Sequence, residues 1–372
     1  MKKTVFGSGA NFCVLGGIEN FDLSEFSSTN FLIPSFSSSS LLEKNHQSAF
    51  PLSVIGLAVT CIFATNFASA QPLTIRDDYS DTTSESLQYD QIDFSTGSKA
   101  NVAVTIGGDQ TQSIVLDKGI NLDDESGSAS VDMTLSAGNI QILGGYGINY
   151  GTSTIVVGGD DPGENHILNV IADKLTVNAT TALNSWDRNV AQSALSVNAS
   201  STVNLGAEKN RISSVTLTAD GTHAVYVGDN SAANVFADTI VVTTNATSST
   251  YAGIYVTGDA AANLNALNDI TINNANGYGI DSYGTGSTYL TAGGSITVNA
   301  AKTSKAISFR TLNSNNDHAE MSLEGNSIFL TGRVDSTGSA SETSAQLTLT
   351  AEDTISIDWG GARNLDLKVQ AL

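Results

Sequence analysis

Histidine, which most often acts as a general base or metal ligand, is rare in this chain, and its copies lie far apart in the sequence. Beyond residue 70 there are three histidines, His166, His223 and His318. No zinc-binding H-E-x-x-H or C-x-x-C, no phosphate-binding loop and no G-x-S-x-G nucleophile turn is present in the sequence. We therefore predict no catalytic residues and no cofactor, and we predict that the protein is not an enzyme.

A weak calcium motif is the nearest approach to a metal site. The stretch "GGDDPG" resembles the Gly-Asp turns of calcium-binding nonapeptide repeats, and carboxylates alone can bind Ca²⁺ at Asp160, Asp161 and Glu164. The motif occurs once, without the second copy that such sites need. We therefore predict no metal-binding residues.

One row of residues alternates with apolar positions and is a candidate binding surface. Its members are Ser196, Tyr226, Tyr255, Asp281 and Ser308. One carboxylate does not make the acid and base pair that glycoside hydrolysis requires. Tyr226 and Tyr255 are expected to lie directly above one another, either as an aromatic ladder or as a platform for sugar rings or a partner strand. Trp186, in the stretch "NATTALNSWDRNVAQSA", is the third candidate surface contact.

These side chains are positioned by a repeat that contains three short strands. One column of the repeat is always aliphatic: Leu135, Val170, Leu205, Val235, Leu264, Leu290, Leu323 and Leu349. Two residues later the column is always small: Ala137, Ala172, Ala207, Ala237, Ala266, Ala292, Gly325 and Ala351. Agreement in two columns over eight copies indicates a true repeat, with intervals of 26 to 35 residues.

Two further strands flank these columns. A small residue followed by an aliphatic one precedes them: Gly119-Ile120, Gly147-Ile148, Ala194-Leu195, Ala224-Val225, Gly253-Ile254, Gly279-Ile280 and Ala306-Ile307. An apolar pair such as Ile270 and Ile272 follows them. In the copy that starts at residue 204 this pair is ambiguous, and one candidate is Val215 and Leu217.

The pattern predicts an all-β protein. Apolar residues alternate with Thr, Ser, Asn or Tyr, which is the period-two signature of one buried face. A meander would not repeat one column at nearly fixed spacing, and a propeller blade needs four strands in about 40 residues. We therefore predict a right-handed parallel β-helix of about eight coils.

Composition and charge exclude some functions. Charged residues make up 14% of the 372 residues, and the net charge is −21. Three lysines and four acidic residues precede residue 71, which leaves 13 basic and 33 acidic residues, or −20, for the remainder. Such a surface repels nucleic acid and anionic lipid, because phosphate binding depends on clustered Lys and Arg.

The first 70 residues differ from the rest and contain both cysteines, Cys13 and Cys61. Residues 50–70, "FPLSVIGLAVTCIFATNFASA", have the short apolar run and the small-x-small ending of a secretory signal peptide. We predict cleavage between Ala70 and Gln71, with an uncleaved anchor as the alternative. Residues 1–49 are either an extended, disordered leader region or the result of a misassigned start. Residues 71–110 are predicted to form a cap or first strands, and residues 111–372 the β-helix.

The signal ending "FASA", the absence of cysteine after residue 70 and coils such as "AGIYVTGDAAANLNALNDITI" resemble the passenger of a Gram-negative autotransporter. The resemblance covers about residues 75–372 and rests on the style of the repeat. It implies export through the periplasm, and display at the outer membrane or release. The family ends in a translocating barrel, and no such strand series precedes "NLDLKVQAL", so we expect either a truncated product or a β-helix exported by another route.

The resemblance implies an adhesin-like module that binds a glycan or protein of a host or bacterial surface, or that self-associates. Two alternatives remain open from the residues themselves. One is a carbohydrate-active β-helix enzyme, and the other is a structural stalk.

Overall fold

The computed structural model describes residues 70–95, 100–123, 129–144, 153–159, 165–179, 182–183, 189–190, 193–246, 248–310, 319–337, 346–358 and 366–371. These residues form strands and turns, and none of them is helical. Among them, no helix is long and apolar enough to cross a membrane. The predicted leader region, residues 1–49, and the predicted signal segment before Ala70 lie outside the described residues.

Parallel strands wind around three walls, which we number in chain order within each coil. The first wall contains β1 (Gln71–Ile75), β7 (Ser153–Val157), β11 (Ser193–Val197), β14 (Val225–Val227), β16 (Ala252–Thr257), β19 (Tyr278–Tyr283), β22 (Lys305–Arg310) and β24 (Arg333–Thr337). The second wall contains β2 (Tyr79–Asp81), β4 (Asn101–Gly107), β12 (Thr202–Leu205), β17 (Ala261–Ala266), β20 (Ser287–Ala292) and β26 (Asp366–Ala371). The third wall contains β13 (Ile212–Gly221), β18 (Ile270–Asn274) and β21 (Ser295–Ala300).

Some strands are long enough to belong to two walls. The second and third walls share β6 (Ser130–Leu143), β8 (Ile167–Ala179), β15 (Ala232–Ala246), β23 (Glu320–Thr331) and β25 (Gln346–Asp358). The third wall and the first wall of the next coil share β3 (Leu87–Phe94) and β5 (Ser113–Leu122). A two-stranded antiparallel hairpin, β9 (Ala182–Leu183) with β10 (Asn189–Val190), lies outside this sheet.

The stacking confirms the predicted parallel β-helix of about eight coils. Each member of the aliphatic column pairs with the next, from Leu135 with Val170 to Leu323 with Leu349. The same register extends to Ile106 before this column and to Val369 after it. Strands β1–β4 stack on the predicted coils in the same way. The right-handed sense of the coil stays a prediction.

Two assignments in the repeat differ from the sequence prediction. Gly147 and Ile148 lie outside the described residues, and Ile155 stands in their column between Ile120 and Leu195. The repeat pattern predicts Ala207 in the small column, but Ala207 is exposed in a loop, and Ile212 pairs with Ala237 instead. The insertion therefore leaves the second wall, and a bulkier inward residue closes the corner.

The ambiguous third strand follows this inserted loop. Val215 and Leu217 pair with Leu175 and Val177 of the coil before and with Ile240 and Val242 of the coil after. The candidate pair is therefore confirmed.

One continuous aliphatic core fills the coil. Leu264 is 2% exposed and lies between Val235 and Leu290. Burying such a side chain contributes roughly 1.5–3 kcal/mol, and every coil repeats this contribution. Adjacent coils are about 4.8 Å apart, so each inward residue contacts its equivalents above and below.

A buried amide shapes the corner between the third and first walls in the coil of Asn274. Its Nδ2 donates to the carbonyl oxygens of Tyr251 (2.9 Å) and Tyr278 (2.8 Å). Its Oδ1 accepts from the backbone N–H groups of Asn276 (3.2 Å) and Gly277 (2.8 Å). The amide is thus fully hydrogen-bonded where the chain turns, which meets the requirement that buried polar groups be paired.

Candidate functional site

The outer surface of the first wall between β14 and β24 brings aromatic and charged side chains together. We call it the first-wall face and define it by His223, Tyr226, Tyr251, Tyr255, Tyr278, Asp281, Tyr283, Lys305, Ser308, Arg310, Arg333 and Asp335. Alternation along each strand turns one set of side chains outward, and the parallel register stacks these sets in rows. The predicted row from Ser196 to Ser308 is one of them and continues to Asp335.

Tyr226 and Tyr255 lie directly above one another, as predicted. They are paired across β14 and β16, and their ring centroids are 5.4 Å apart with an interplanar angle of 34°. His223 stacks on Tyr255 at 4.5 Å and 21°. On the side of the following coils, the guanidinium of Arg310 lies 5.4 Å from the Tyr255 centroid. Tyr255 is therefore held between coils as part of an aromatic ladder.

The imidazole of His223 is tied to the backbone of the next coil. Its Nδ1 accepts a hydrogen bond from the N–H of Ala252 at 2.9 Å, which requires that this nitrogen carry no proton. Its ring also contacts Tyr251 edge-on at 5.1 Å. Burial, reinforced by the positive charge of Arg310, lowers the pKa of His223 from 6.5 to about 4. His223 is therefore neutral at physiological pH.

Arg310 and Asp281 form a charge pair at the centre of the face. Nε of Arg310 donates to Oδ1 of Asp281 at 3.2 Å, and Nη2 donates to Oδ2. The side chain of Asp281 is 0% exposed, whereas that of Arg310 is 30% exposed. Burial raises the pKa of Asp281, and the hydrogen bonds and charge of Arg310 oppose that rise. The guanidinium also lies 5.1 Å from the ring centroid of Tyr283.

A second charge pair lies on the following coils. Nζ of Lys305 is 3.6 Å from Oδ2 of Asp335, 3.4 Å from Oγ of Ser308 and 5.2 Å from the ring centroid of Tyr278. Burial lowers the pKa of Lys305, and the charge of Asp335 opposes this effect. Lys305 and Arg310 thus stand before and after the small residue Ser308 in β22.

The remaining sequence-predicted residues are either outside the set that defines the first-wall face or outside the described residues. Trp186, His318 and the acidic residues Asp160, Asp161 and Glu164 lie outside the described residues. At the predicted cleavage point, Ala70 immediately precedes β1, and Gln71 is the first residue of β1. Within the described part of the chain, no group of three or more His, Cys, Asp or Glu side chains could hold a metal ion.

His166 is a structural residue of the core. It is 0% exposed, its Nδ1 accepts from the N–H of Val131 at 3.1 Å, and its ring meets Phe94 edge-on at 5.6 Å. The backbone N–H of His166, and not its ring, donates to Oγ of Ser201 at 3.1 Å. His166 therefore links three successive coils at one corner.

Sequence reasoning missed several members of the face. It counted one carboxylate in the outward row, but Asp335 is a second, because β24 pairs with β22 and continues the row. Tyr283 and Arg310 were also missed, although each stands two residues after a member of the row and so shares its side of the strand. Period-two alternation, extended by one step, would have found both.

No family model, curated protein or solved structure matches the chain.

Proposed function

We propose that this chain is a non-catalytic binding module, exported by a Gram-negative bacterium and displayed at its surface or released. The observation that carries this proposal is the concentration of aromatic side chains on the first-wall face. Five of the ten tyrosines stand there within 58 residues, Tyr226, Tyr251, Tyr255, Tyr278 and Tyr283, and all five are partly exposed. Tyrosine is enriched in binding surfaces because it offers a rigid apolar ring and a polar hydroxyl.

Export is supported by the sequence. A secretory h-region ending in Ala68-Ser69-Ala70 precedes the coils, and no cysteine follows it. The resemblance to autotransporter passengers adds an adhesin-like role, in which a rigid rod presents a surface to a glycan or protein of another cell, or to a second copy.

The test uses purified residues 71–372 on a glycan array, in binding to whole bacterial and host cells, and in a cell-aggregation assay. Tyr226→Ala and Tyr251→Ala are expected to weaken binding or aggregation at least tenfold. Tyr289→Ala is the matched control, because Tyr289 is a partly exposed tyrosine of the second wall that bonds Glu320 at 3.1 Å. Equal losses in all three variants, or no binding in any assay, would contradict the proposal and leave a structural stalk as the better account.

A second candidate is a carbohydrate-active enzyme, and the pair Asp281 and Asp335 favours it. These residues occupy the same row two coils apart, a separation of about 10 Å along the axis. Inverting glycosidases place their carboxylates roughly 6.5–9.5 Å apart. The complete burial of Asp281 argues against contact with a substrate. Cleavage of a polysaccharide by the wild type, lost in Asp335→Asn, would establish the enzyme instead of the binding module.

A further inference from the structure

The basic residues of this acidic chain are concentrated beside the aromatic ladder. Four of the 13 basic residues after residue 70 lie within 32 positions, Lys302, Lys305, Arg310 and Arg333. Lys305 and Arg333 are Cα partners on adjacent coils, and Lys302 stands at the corner that leads into β22. A chain of net charge −21 therefore has four of its basic residues close together on and beside its first wall.

The partners of these cations are mostly withdrawn from solvent. Asp281 is 0% exposed and Asp335 is 14% exposed at the side chain. By contrast, Lys302 is 78% exposed, and Arg333 is exposed with Nη2 donating to the carbonyl oxygen of Thr303 at 3.3 Å. The exposed carboxylate of Asp358 pairs with Lys302 at 3.2 Å, which reduces the contribution of that lysine. Arg310 and Arg333 are thus the accessible charges of this part of the face.

Arg310 is held in one orientation. Asp281 takes hydrogen bonds from Nε and Nη2, and the rings of Tyr255 and Tyr283 flank the guanidinium. Arginine has five N–H donors in a planar fork, so donors beyond those two bonds remain for an anion. A guanidinium that is already ordered loses less entropy when it binds a carboxylate.

The spacing of the two arginines sets the size of the ligand. Arg310 is the Cα partner of Thr337, which stands four residues after Arg333 in β24. Along the strand direction, the backbone positions of the two arginines are therefore roughly 13 Å apart. That span fits a short oligosaccharide and is too long for one sugar. The partly exposed tyrosines at the two edges of the wall, Tyr278 and Tyr283, offer apolar rings on which sugar C–H groups pack.

We propose that the first-wall face binds a short carboxylated oligosaccharide, with one carboxylate at Arg310 beside Tyr283 and a second at Arg333. This inference rests on the proposed binding function and names its ligand class. A long polyanion is disfavoured, because the remainder of the chain is strongly acidic and repels it. The contacts are charge-assisted hydrogen bonds, which weaken as salt rises.

The experiment measures binding of a tetrasaccharide that contains two glucuronate residues to purified residues 71–372 by isothermal titration calorimetry. The same tetrasaccharide with its carboxyl groups reduced to alcohols is the ligand control. The variants are Arg310→Gln, Arg333→Gln and the double variant Asp281→Asn/Arg310→Gln, which removes the buried charge together with its partner. Lys174→Gln is the matched protein control, because Lys174 is an exposed basic residue of the third wall.

The wild type is expected to bind the acidic form at least tenfold more tightly than the reduced form, with affinity falling as NaCl is raised. Each arginine substitution should weaken binding fivefold or more, and the double variant should resemble Arg310→Gln. Lys174→Gln should bind as the wild type does. Equal affinity for both sugars, equal losses in all variants, or binding of a tetra-aspartate peptide with no binding of the sugar would overturn the inference.

Two of these outcomes separate this inference from the proposed function. Equal affinity for both sugars, or binding of the peptide without binding of the sugar, would reject the acidic oligosaccharide as the ligand while leaving a binding module in place. Failure of every ligand in the cell and array assays would reject both.

Discussion

The guanidinium of Arg310 reaches diagonally across two adjacent coils to the carboxylate of Asp281, which is fully buried although it stands at an outward position of β19. Tyr283 is the direct partner of Arg310, and Tyr255 the direct partner of Asp281. One ion pair therefore joins two columns of the first-wall face, and its guanidinium lies against an aromatic ring of each column.

Substitution of only one member of this ion pair is expected to lower the free energy of unfolding. Arg310→Met leaves a buried carboxylate without its cation, and removal of one partner of a buried pair typically costs about 3–5 kcal/mol. The double variant Arg310→Met/Asp281→Asn removes both charges and should recover most of that loss. Urea unfolding followed by circular dichroism measures both, and a double variant no more stable than the single one would show that the pair is not coupled.

Because the aliphatic column faces the core, a charged substitution at Leu264 is expected to destabilise the fold strongly. Leu264→Asp places a carboxylate between Val235 and Leu290 with no partner, so the free energy of unfolding should fall by several kcal/mol and cooperative unfolding should be lost. Thr291→Asp is the control, because Thr291 is exposed on the outer side of the same wall. A wild-type melting curve for Leu264→Asp would reject the register.

Removal of either of two unpaired hydroxyls in the core is expected to raise the free energy of unfolding. Oγ1 of Thr288 and Oγ of Ser282 are buried and find no hydrogen-bond partner in the described part of the chain. Thr288→Val keeps the shape of the side chain and removes a group whose burial costs about 1–3 kcal/mol when it is unpaired. The variant should therefore unfold at higher urea concentration.

The matched control for Thr288→Val is Thr244→Val. Thr244 is also buried, but its hydroxyl donates to the carbonyl oxygen of Thr222. The same chemical change should destabilise the protein there by about 1 kcal/mol. If both variants change the free energy of unfolding in the same direction, the hydroxyls of Thr288 and Thr244 do not differ in hydrogen bonding as described.

Acid is expected to destabilise the fold through His223. Its pKa is about 4 in the folded chain and 6.5 in the unfolded chain, so between these values only the unfolded chain takes up the proton. Stability therefore falls as the pH falls through this window, by roughly 2 kcal/mol between pH 7 and pH 5. Asp281, with a raised pKa, acts in the opposite direction, at pH values around and above its usual 3.8.

Urea unfolding at pH 7 and pH 5, with His223→Gln beside the wild type, checks this prediction. The variant lacks the imidazole and should lose less stability between the two conditions. If both proteins lose the same amount, His223 is not the group responsible.

Export predicts a defined N-terminus. Edman sequencing of protein secreted by the native host should begin at Gln71, because a signal peptidase accepts small residues at Ala68 and Ala70. Secreted material that retains Met1 would contradict cleavage.

The amino-acid sequence by itself determined the architecture. Inward positions recur every second residue along a strand and at a nearly fixed interval along the chain, so the columns through Leu264 and Ile254 could be aligned without coordinates. The stacking of Tyr226 on Tyr255 followed from the same register. The prediction that Ala207 belongs to the small column is wrong, because an inserted loop shifts the register without changing the residue types that flank it.

Only the tertiary structure decided which outward residues act together. Arg310 meets Asp281, and Lys305 meets Asp335, because adjacent coils bring residues about 30 positions apart to within hydrogen-bond or ion-pair distance. The interval between coils varies, and long side chains cross from one column to another, so linear spacing does not specify these pairs. Burial of Asp281 also depends on the side chains that cover it, and so the split between hidden carboxylates and accessible arginines on the first-wall face appears only in three dimensions.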